Sequence, residues 1–302
     1  MIKSFKDLQK AIDEKEKPHK PVKMAILNPA SPHIISAVRK AVEDKLIDPI
    51  TIGPMETLKP IFAENEIDIS KIYHINADSL EESISAIINL KPACILKGDV
   101  SSRKLAETLS DSSNGLLPKS AVLSHIGLVK VEKYNRLMLL TDGVVHGAPN
   151  VAMKIKIIQN AAALSNRLGN DKPKASMLAA VEAIYPAIPV TMEEAAIAKM
   201  SDRGQIKGVE IDGPLSFDCT ISQKVAEAKG IMNSKVAGRA DIFAMPSIET
   251  ANGTYKALVM FTGAEGAGIL YGGTIPIACP YAIDTEQNVF NSIMLAAYLA
   301  WS

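Results

Sequence analysis

Residues 22–53 read VKMAILNPASPHIISAVRKAVEDKLIDPITIG. Val22 to Leu27 is a short, mostly apolar run of the kind that forms a buried strand. Asn28-Pro29-Ala30-Ser31-Pro32 then makes a loop that ends at a helix start. From Ile34 to Leu46 apolar side chains stand at 34, 35, 38, 42 and 46, which is helical spacing. Pro49 to Ile52 is a second short strand, closed by Gly53-Pro54. Outward from this unit the alternation continues. Ala93 to Leu96 is strand-like and ends in Lys97-Gly98-Asp99-Val100-Ser101-Ser102, before a helical run through Leu109. Ala121 to Val131 and Leu137 to Leu140, joined by polar Lys133 to Arg136, form a hairpin pattern. Val151 to Leu168 is a long helical stretch stopped by Gly169. Ala175 to Val181, Gly208 to Ile211, Ala240 to Met245 and Gly268 to Leu270 supply further strands among helical segments. Such alternation predicts an α/β architecture with mainly parallel sheets, in which ligands sit at the carboxyl ends of strands. The Gly/Pro-punctuated loop 142–150 suggests a change of domain.

The chain has 302 residues with 33 basic and 33 acidic side chains, so its net charge argues against a nucleic-acid binder. A hydrophobic content of 47% excludes a disordered chain, and aromatics at 5% argue against base-stacking platforms. Cys94, Cys219 and Cys279 include no close pair, so neither a disulfide framework nor a cysteine zinc site is expected. The charged start MIKSFKDLQKAIDEKEKPHK lacks a signal-peptide core, and no apolar run reaches the ~18 residues of a membrane span. A cytoplasmic setting with no membrane partner is the expectation.

Familiar catalytic motifs are absent. There is no H-E-x-x-H, no phosphate-binding G-x-x-x-x-G-K-[ST] and no G-x-S-x-G, and the histidines at 19, 33, 74, 125 and 146 are too dispersed for a metal. His146 lies in the loop 142–150, as a base or, favoured for want of an identifiable partner, as a loop or core residue. Gly263-Ala264-Glu265-Gly266-Ala267-Gly268 is spaced G-x-x-G-x-G and follows a helical stretch, Tyr255 to Phe261. A dinucleotide fingerprint must follow a strand and open a helix, so the order here is reversed and no nicotinamide cofactor is expected. The methionines between Met192 and Met200 follow helical spacing and read as core.

Residues 175–218, ASMLAAVEAIYPAIPVTMEEAAIAKMSDRGQIKGVEIDGPLSFD, strongly resemble the phosphate acetyl/butyryl transferase family, in particular its phosphate butyryltransferase branch. Further matches in order are Lys97-Gly98-Asp99-Val100, Leu123-Ser124-His125, Thr141-Asp142-Gly143, Val236-Ala237-Gly238-Arg239-Ala240-Asp241 and Gly263 to Ile269. The resemblance covers about residues 90–300. It implies the reaction acyl-CoA + phosphate ⇌ acyl phosphate + CoA, with coenzyme A as a substrate and no metal, nucleotide or flavin as cofactor. It also implies an isocitrate/isopropylmalate dehydrogenase-like fold of two α/β domains with an interdomain cleft, and a homodimer or higher homo-oligomer. The domains are expected at 1–147 plus 284–302 and at 148–283, the carboxyl-terminal helix from Asp284 to Trp301 crossing back to complete the first.

A phosphate dianion calls for backbone N–H groups, hydroxyls and cations, best at a helix N-terminus. Ser101 and Ser102 fall where the family carries hydroxyl-rich phosphate contacts, and they equally suit N-capping. In Pro246 to Lys256, helical spacing puts Asn252, Tyr255 and Lys256 on one face. Lys256 is a candidate for a phosphoryl oxygen or a solvated surface lysine, and Asn252 for the acyl carbonyl. Thioester attack further needs a route for the thiol proton and donors for the oxyanion. The family places a Ser-Arg pair followed by acidic residues near the carboxyl terminus. Here Tyr281 and Ala282 occupy the pair, while Asp284 matches an acidic position. A family arginine in the helix after the phosphate loop is replaced by Glu107, and Arg103 or Arg239 are the candidates to compensate. Three readings follow: an active short-chain phosphate acyltransferase with Tyr281, Asp284 and Asn252 in catalysis; a catalytically degenerate paralogue acting as a CoA-binding or accessory subunit; or a related reaction on another acyl or phosphoryl substrate.

Overall fold

In the computed structural model, which describes residues 1–14 and 20–301, Val22–Leu27 is a strand (β1) with only Lys23 turned to solvent. His19 lies outside the described residues. The chain groups into two compact units, Phe5–Leu123 with Glu265–Ser302 and Met1–Ser4 with Ser124–Ala264.

In the first unit, numbered in chain order, α1 is Phe5–Glu14, α2 Pro32–Glu43, β2 Ile47–Gly53, α3 Met55–Glu64 and β3 Tyr73–Asn76. Helix α4 is Leu80–Leu90, β4 Cys94–Lys97, α5 Ser102–Leu109, β10 Glu265–Tyr271, β11 Ile277–Ala278 and α11 Glu286–Trp301. The strands lie in the order β3-β2-β1-β4-β11-β10. All pair in parallel except β10 with β11. Because β1 has β2 on one side and β4 on the other, the chain reverses its direction of travel between β1 and β4, the crevice position at which such sheets bind ligands. The sequence pattern did not mark β3 because it is a half-exposed edge strand without an apolar run, nor the two-residue β11.

The terminal helix α11 packs against α1, α2, β1, β4, β10 and β11, and is buried from Asn288 to Ala297. Its buried polar side chains have partners on β10. Asn288 accepts from Gly266 N at 2.9 Å, Ser292 accepts from Gly268 N at 2.9 Å, and Asn291 donates to Gly266 O at 3.2 Å. These contacts replace hydrogen bonds that the buried backbone of β10 would otherwise lack.

In the second unit β5 is Ser124–Lys130, β6 Met138–Thr141, α6 Val151–Arg167, β7 Lys174–Leu178, α7 Pro189–Asp202 and β8 Glu210–Leu215. Helix α8 is Phe217–Ile221, α9 Gln223–Ala228, β9 Ile242–Ala244 and α10 Ile248–Thr262. The strands run β5-β6-β9-β7-β8, with β5 and β6 an antiparallel hairpin and the others parallel. Helix α10 ends at Gly263, whose φ of 63° only glycine adopts cheaply, and β10 follows, so the glycine-rich stretch is a helix stop feeding a strand.

The divisions fall at 123/124 and 264/265, not near 147 and 283. The loop 142–150 looked like a linker, yet β6 before it pairs with β9 and α6 after it packs on β6, β7 and β9. The return to the first unit comes at β10, because β10 pairs with β11 and β11 with β4. No helix among the described residues is long and apolar enough to cross a membrane.

Helices α6 and α7 carry a buried charge cluster. Lys154 is nearly buried and pairs with Glu193 at 2.9 Å, while the adjacent Glu194 is 1% exposed. Burial pushes the Glu194 carboxyl up from 4.5 to about 8, Lys154 opposing and Glu193 reinforcing the shift. The folded state thus holds this proton more tightly than the unfolded chain. The contribution of Glu194 to stability is full below its unfolded pKa and is lost as pH rises through about 8. Thermal unfolding followed from pH 5 to 9 is expected to show a falling Tm, and Glu194→Gln is expected to flatten that fall; an unchanged slope in the variant would exclude Glu194 as its source.

Candidate active site

In the first unit the loops after β1 and β4 are tied together. Asp99 accepts from Ala30 N at 2.9 Å and Ser31 N at 2.6 Å, and the Ser31 hydroxyl donates to its other oxygen. Asn28 Nδ2 donates to Asp99 O at 3.0 Å, and Asp99 N to Asn28 O at 2.8 Å. The Asp99 carboxylate therefore sits at the N-terminus of α2, where the helix dipole favours an anion. Gly98 makes this approach possible, since a Cβ there would lie 2.1 Å from Leu27 O and 2.6 Å from Asn28 O. Neither Asn28 nor Asp99 is singled out by the sequence pattern beyond the family match at Lys97-Gly98-Asp99-Val100, because the two lie about seventy residues apart.

Ser101 caps α5, accepting from Lys104 N at 3.3 Å, so its capping reading holds. Ser102, half-buried beside it, has its Oγ 3.9 Å from Cys279 Sγ, which brings the β4 loop against the segment after β11. That segment contains Tyr281 and Asp284, both buried. Asp284 is used in the turn before α11: Tyr281 N donates to its Oδ2 at 2.7 Å and Asn288 Nδ2 to its Oδ1 at 3.3 Å. Ala282 is exposed. Arg103 pairs with Glu107 at 2.8 Å on the exposed side of α5, so its guanidinium is engaged there.

In the second unit α10 opens at the carboxyl end of β9 with Ser247 as its cap. Asn252 Nδ2 donates to Gly143 O at 3.0 Å in the loop after β6. Lys256 is half-buried, whereas Tyr255 is completely buried and belongs to the core, leaving Asn252 and Lys256 as the polar pair of that face. After β7 and β8, Glu182, Ser216 and Asp218 surround the ammonium of Lys229 at 3.0–3.1 Å. Burial works to raise Glu182, but hydrogen bonds from Ser216, Cys219 and Lys229 outweigh it and hold the carboxyl at about 2. Hydrogen bonds from Ser216 and Lys229 bring Asp218 to about 2 as well. Glu182, Asp218 and Cys219 form the one metal-type grouping among the described residues, and Lys229 already supplies its cation. His33, His74, His125 and His146 take part in no such grouping.

The family model described as phosphate acetyl/butaryl transferase matches residues 91–297. The chain belongs to that family. It is 33% identical over 304 residues to the phosphate butyryltransferase of Clostridium acetobutylicum, covering 99% of each chain. It is 31% identical to the phosphate acetyltransferase of Thermotoga maritima, covering 92% of this chain and 95% of the other. Among solved structures, the fold matches a branched-chain phosphotransacylase from Enterococcus faecalis with TM-score 0.78 at 24% identity, over 92% of this chain and 99% of that one. A phosphotransacetylase from Streptococcus pyogenes matches with TM-score 0.79 at 17% identity over 99% of both.

Within this member of the phosphate acetyl/butaryl transferase family, Gly98 leaves less room for a Cβ than Gly53 or Gly273 of the same unit. Gly98→Ala forces apart the ends of β1 and β4 and is expected to cost ~1–3 kcal/mol or more. A midpoint in urea equal to that of the wild type would show that the loops can yield.

Proposed function

We propose that this protein transfers a short acyl group, of butyryl type, between coenzyme A and inorganic phosphate: acyl-CoA + phosphate ⇌ acyl phosphate + CoA. The observation that carries the reading is the full-length identity of 33% to a phosphate butyryltransferase, with the family's loop segments standing at the carboxyl ends of parallel strands. Coenzyme A enters as substrate, and the chemistry draws on no resident metal, nucleotide or flavin. A cytoplasmic homodimer or higher homo-oligomer, and an isocitrate/isopropylmalate dehydrogenase-like fold, belong to the same reading.

The residues divide the work as follows. The N-terminus of α5, with the hydroxyls of Ser101 and Ser102, offers donors to phosphate. Lys256 supplies a cation for a phosphoryl oxygen. An asparagine amide has two N–H groups, so Asn252 spends one on Gly143 and offers the other to the acyl carbonyl as charge develops there. The Tyr281 hydroxyl replaces the family serine as a donor. Asp284, whose two oxygens accept from Tyr281 N and Asn288 Nδ2, holds the Tyr281 turn in place.

The degenerate-paralogue reading has its own support. Ala282 carries no guanidinium, and Arg103 is paired with Glu107. One assay separates the two: thiol release from butyryl-CoA with and without phosphate, alongside acetyl-CoA and longer acyl-CoAs. Phosphate-dependent release, unaffected by EDTA and ranked highest for butyryl-CoA, is expected. Absence of release from folded protein across the series would leave the accessory role.

Two variants test the assignments. Lys256→Ala is expected to raise the KM for phosphate and cut turnover by roughly 100-fold, the scale of one lost transition-state contact; unchanged kinetics would remove Lys256 from the site. Ala282 is exposed, so Ala282→Arg needs no repacking. Restoring the family guanidinium is expected to raise kcat/KM by roughly tenfold or more. No gain would show that the Tyr281 arrangement works without it.

A further inference from the structure

Asp142 stands immediately after β6 and is 4% exposed. Its Oδ1 accepts from the backbone N–H groups of Val144 and Val145, both at 2.9 Å, which folds the start of the loop around a single carboxylate oxygen. Two carbonyls of that loop hold α10. Gly143 O accepts from Asn252 Nδ2 at 3.0 Å, and Gly147 O accepts from Ile248 N at 2.9 Å. The strands beneath are in register, Thr141 opposite Ala244, with Met245 N donating to Thr141 O at 2.9 Å. The loop and the helix start are therefore neighbours by strand pairing, and Asp142 sets how they meet.

We infer that Asp142 is a positioning residue, whose Oδ1 braces the loop that fixes Asn252, and with it the Lys256 face of α10. This rests on the phosphate acyltransferase reading for its consequence in catalysis, though the brace itself does not. Asp142 makes no contact with Lys256 among the hydrogen bonds and ion pairs of the described residues, so its influence runs through backbone carbonyls. Its Oδ2 is buried and has no hydrogen-bond partner among the described residues. The brace thus needs one acceptor oxygen and not the second, and asparagine keeps one acceptor oxygen in the same place.

The test compares Asp142→Ala with Asp142→Asn, reading both phosphate-dependent turnover and amide hydrogen exchange at the start of α10. Loss of the brace displaces Asn252 and Lys256, and misplacement of about 1 Å costs on the order of 100-fold in rate. Asp142→Ala is therefore expected to lower kcat by roughly that factor, with a smaller change in KM for acyl-CoA, and to speed exchange at Ile248 roughly tenfold as its bond to Gly147 opens. Asp142→Asn is expected to stay within about threefold of wild type on both readouts. In a double-mutant cycle, Asp142→Ala combined with Asn252→Ala is expected to be no slower than the slower single variant, because both act on one contact.

Wild-type exchange and turnover in Asp142→Ala would overturn the inference. So would an Asp142→Asn variant as impaired as Asp142→Ala, since the charge rather than the brace would then be required. Should Asp142→Ala fail to fold, Asp142→Leu takes its place, since leucine keeps roughly the volume and lacks the acceptor oxygen: wild-type exchange and turnover in it would overturn the inference. Should the wild type itself show no turnover, the functional reading falls. Exchange at Ile248 then judges the brace alone, and protection retained in Asp142→Ala would overturn it.

Discussion

The first unit depends on how closely the ends of β1 and β4 can approach. These two neighbouring parallel strands carry the loops on either side of the sheet's switch point, and with a side chain at position 98 the carbonyls of Leu27 and Asn28 would be struck. Glycine removes that clash, and the next residue uses the space. Asp99 turns its carboxylate onto two backbone N–H groups at the start of α2, while its own N–H and C=O are bonded to Asn28. A steric permission and an electrostatic lock thus occupy consecutive positions. Their effect is to present the N-terminus of α5, with Ser101 and Ser102, in a fixed orientation.

The same economy governs the other acidic residues at the carboxyl edges of the strands. Asp142 accepts from two backbone N–H groups, Asp284 from Tyr281 N and Asn288 Nδ2, and Glu182 with Asp218 enclose Lys229. Each carboxylate is thereby drawn to internal donors. For an enzyme that handles phosphate and acyl phosphate this matters, because unpaired carboxylates near the anion would repel it. The neutral overall charge of the chain fits that local bookkeeping: in the function proposed above, attraction for the anion is assigned to placed donors and to Lys256, not to a basic surface.

Helix α11 shows the complementary arrangement in the core. It is nearly all apolar where it crosses the sheet, except for Asn288, Asn291 and Ser292, which are buried and bonded to β10. Removing any of them would leave strand backbone unsatisfied, at a cost of roughly 1–3 kcal/mol. The helix that closes the first unit therefore also holds the strand by which the chain re-enters it. The candidate segment around Tyr281 lies between these two elements, so its geometry is set from both ends.

Periodicity alone determined the fold class. The apolar runs at 22–27 and 93–96, the helical spacing of 34–46 and 151–168, and the hairpin around 133–136 all stand where the structure has those elements, because strands and helices bury their faces with periods that short stretches of sequence reveal. Order of motifs likewise made 263–268 a helix stop rather than a nucleotide loop. Exposed β3 escaped notice, since an edge strand has no buried face to impose a pattern. The division into units was not legible either: glycines and prolines in 142–150 mark a loop, but only the pairing of β6 with β9 decides to which unit that loop belongs. For the site, sequence supplied residue types and their placement on helices, and the three-dimensional fold chose among their uses. It placed Tyr255 in the core, turned Asp284 inward as a brace and tied Arg103 to Glu107. It also revealed Asp99, whose partners are fixed by strand order, and Asp142, whose Oδ1 folds its own loop while the pairing of β6 with β9 brings that loop to α10. Local pattern follows from a residue's neighbours in the chain, whereas the work of a carboxylate such as Asp99 follows from which donors the sheet brings within about 3 Å, and that is a tertiary fact.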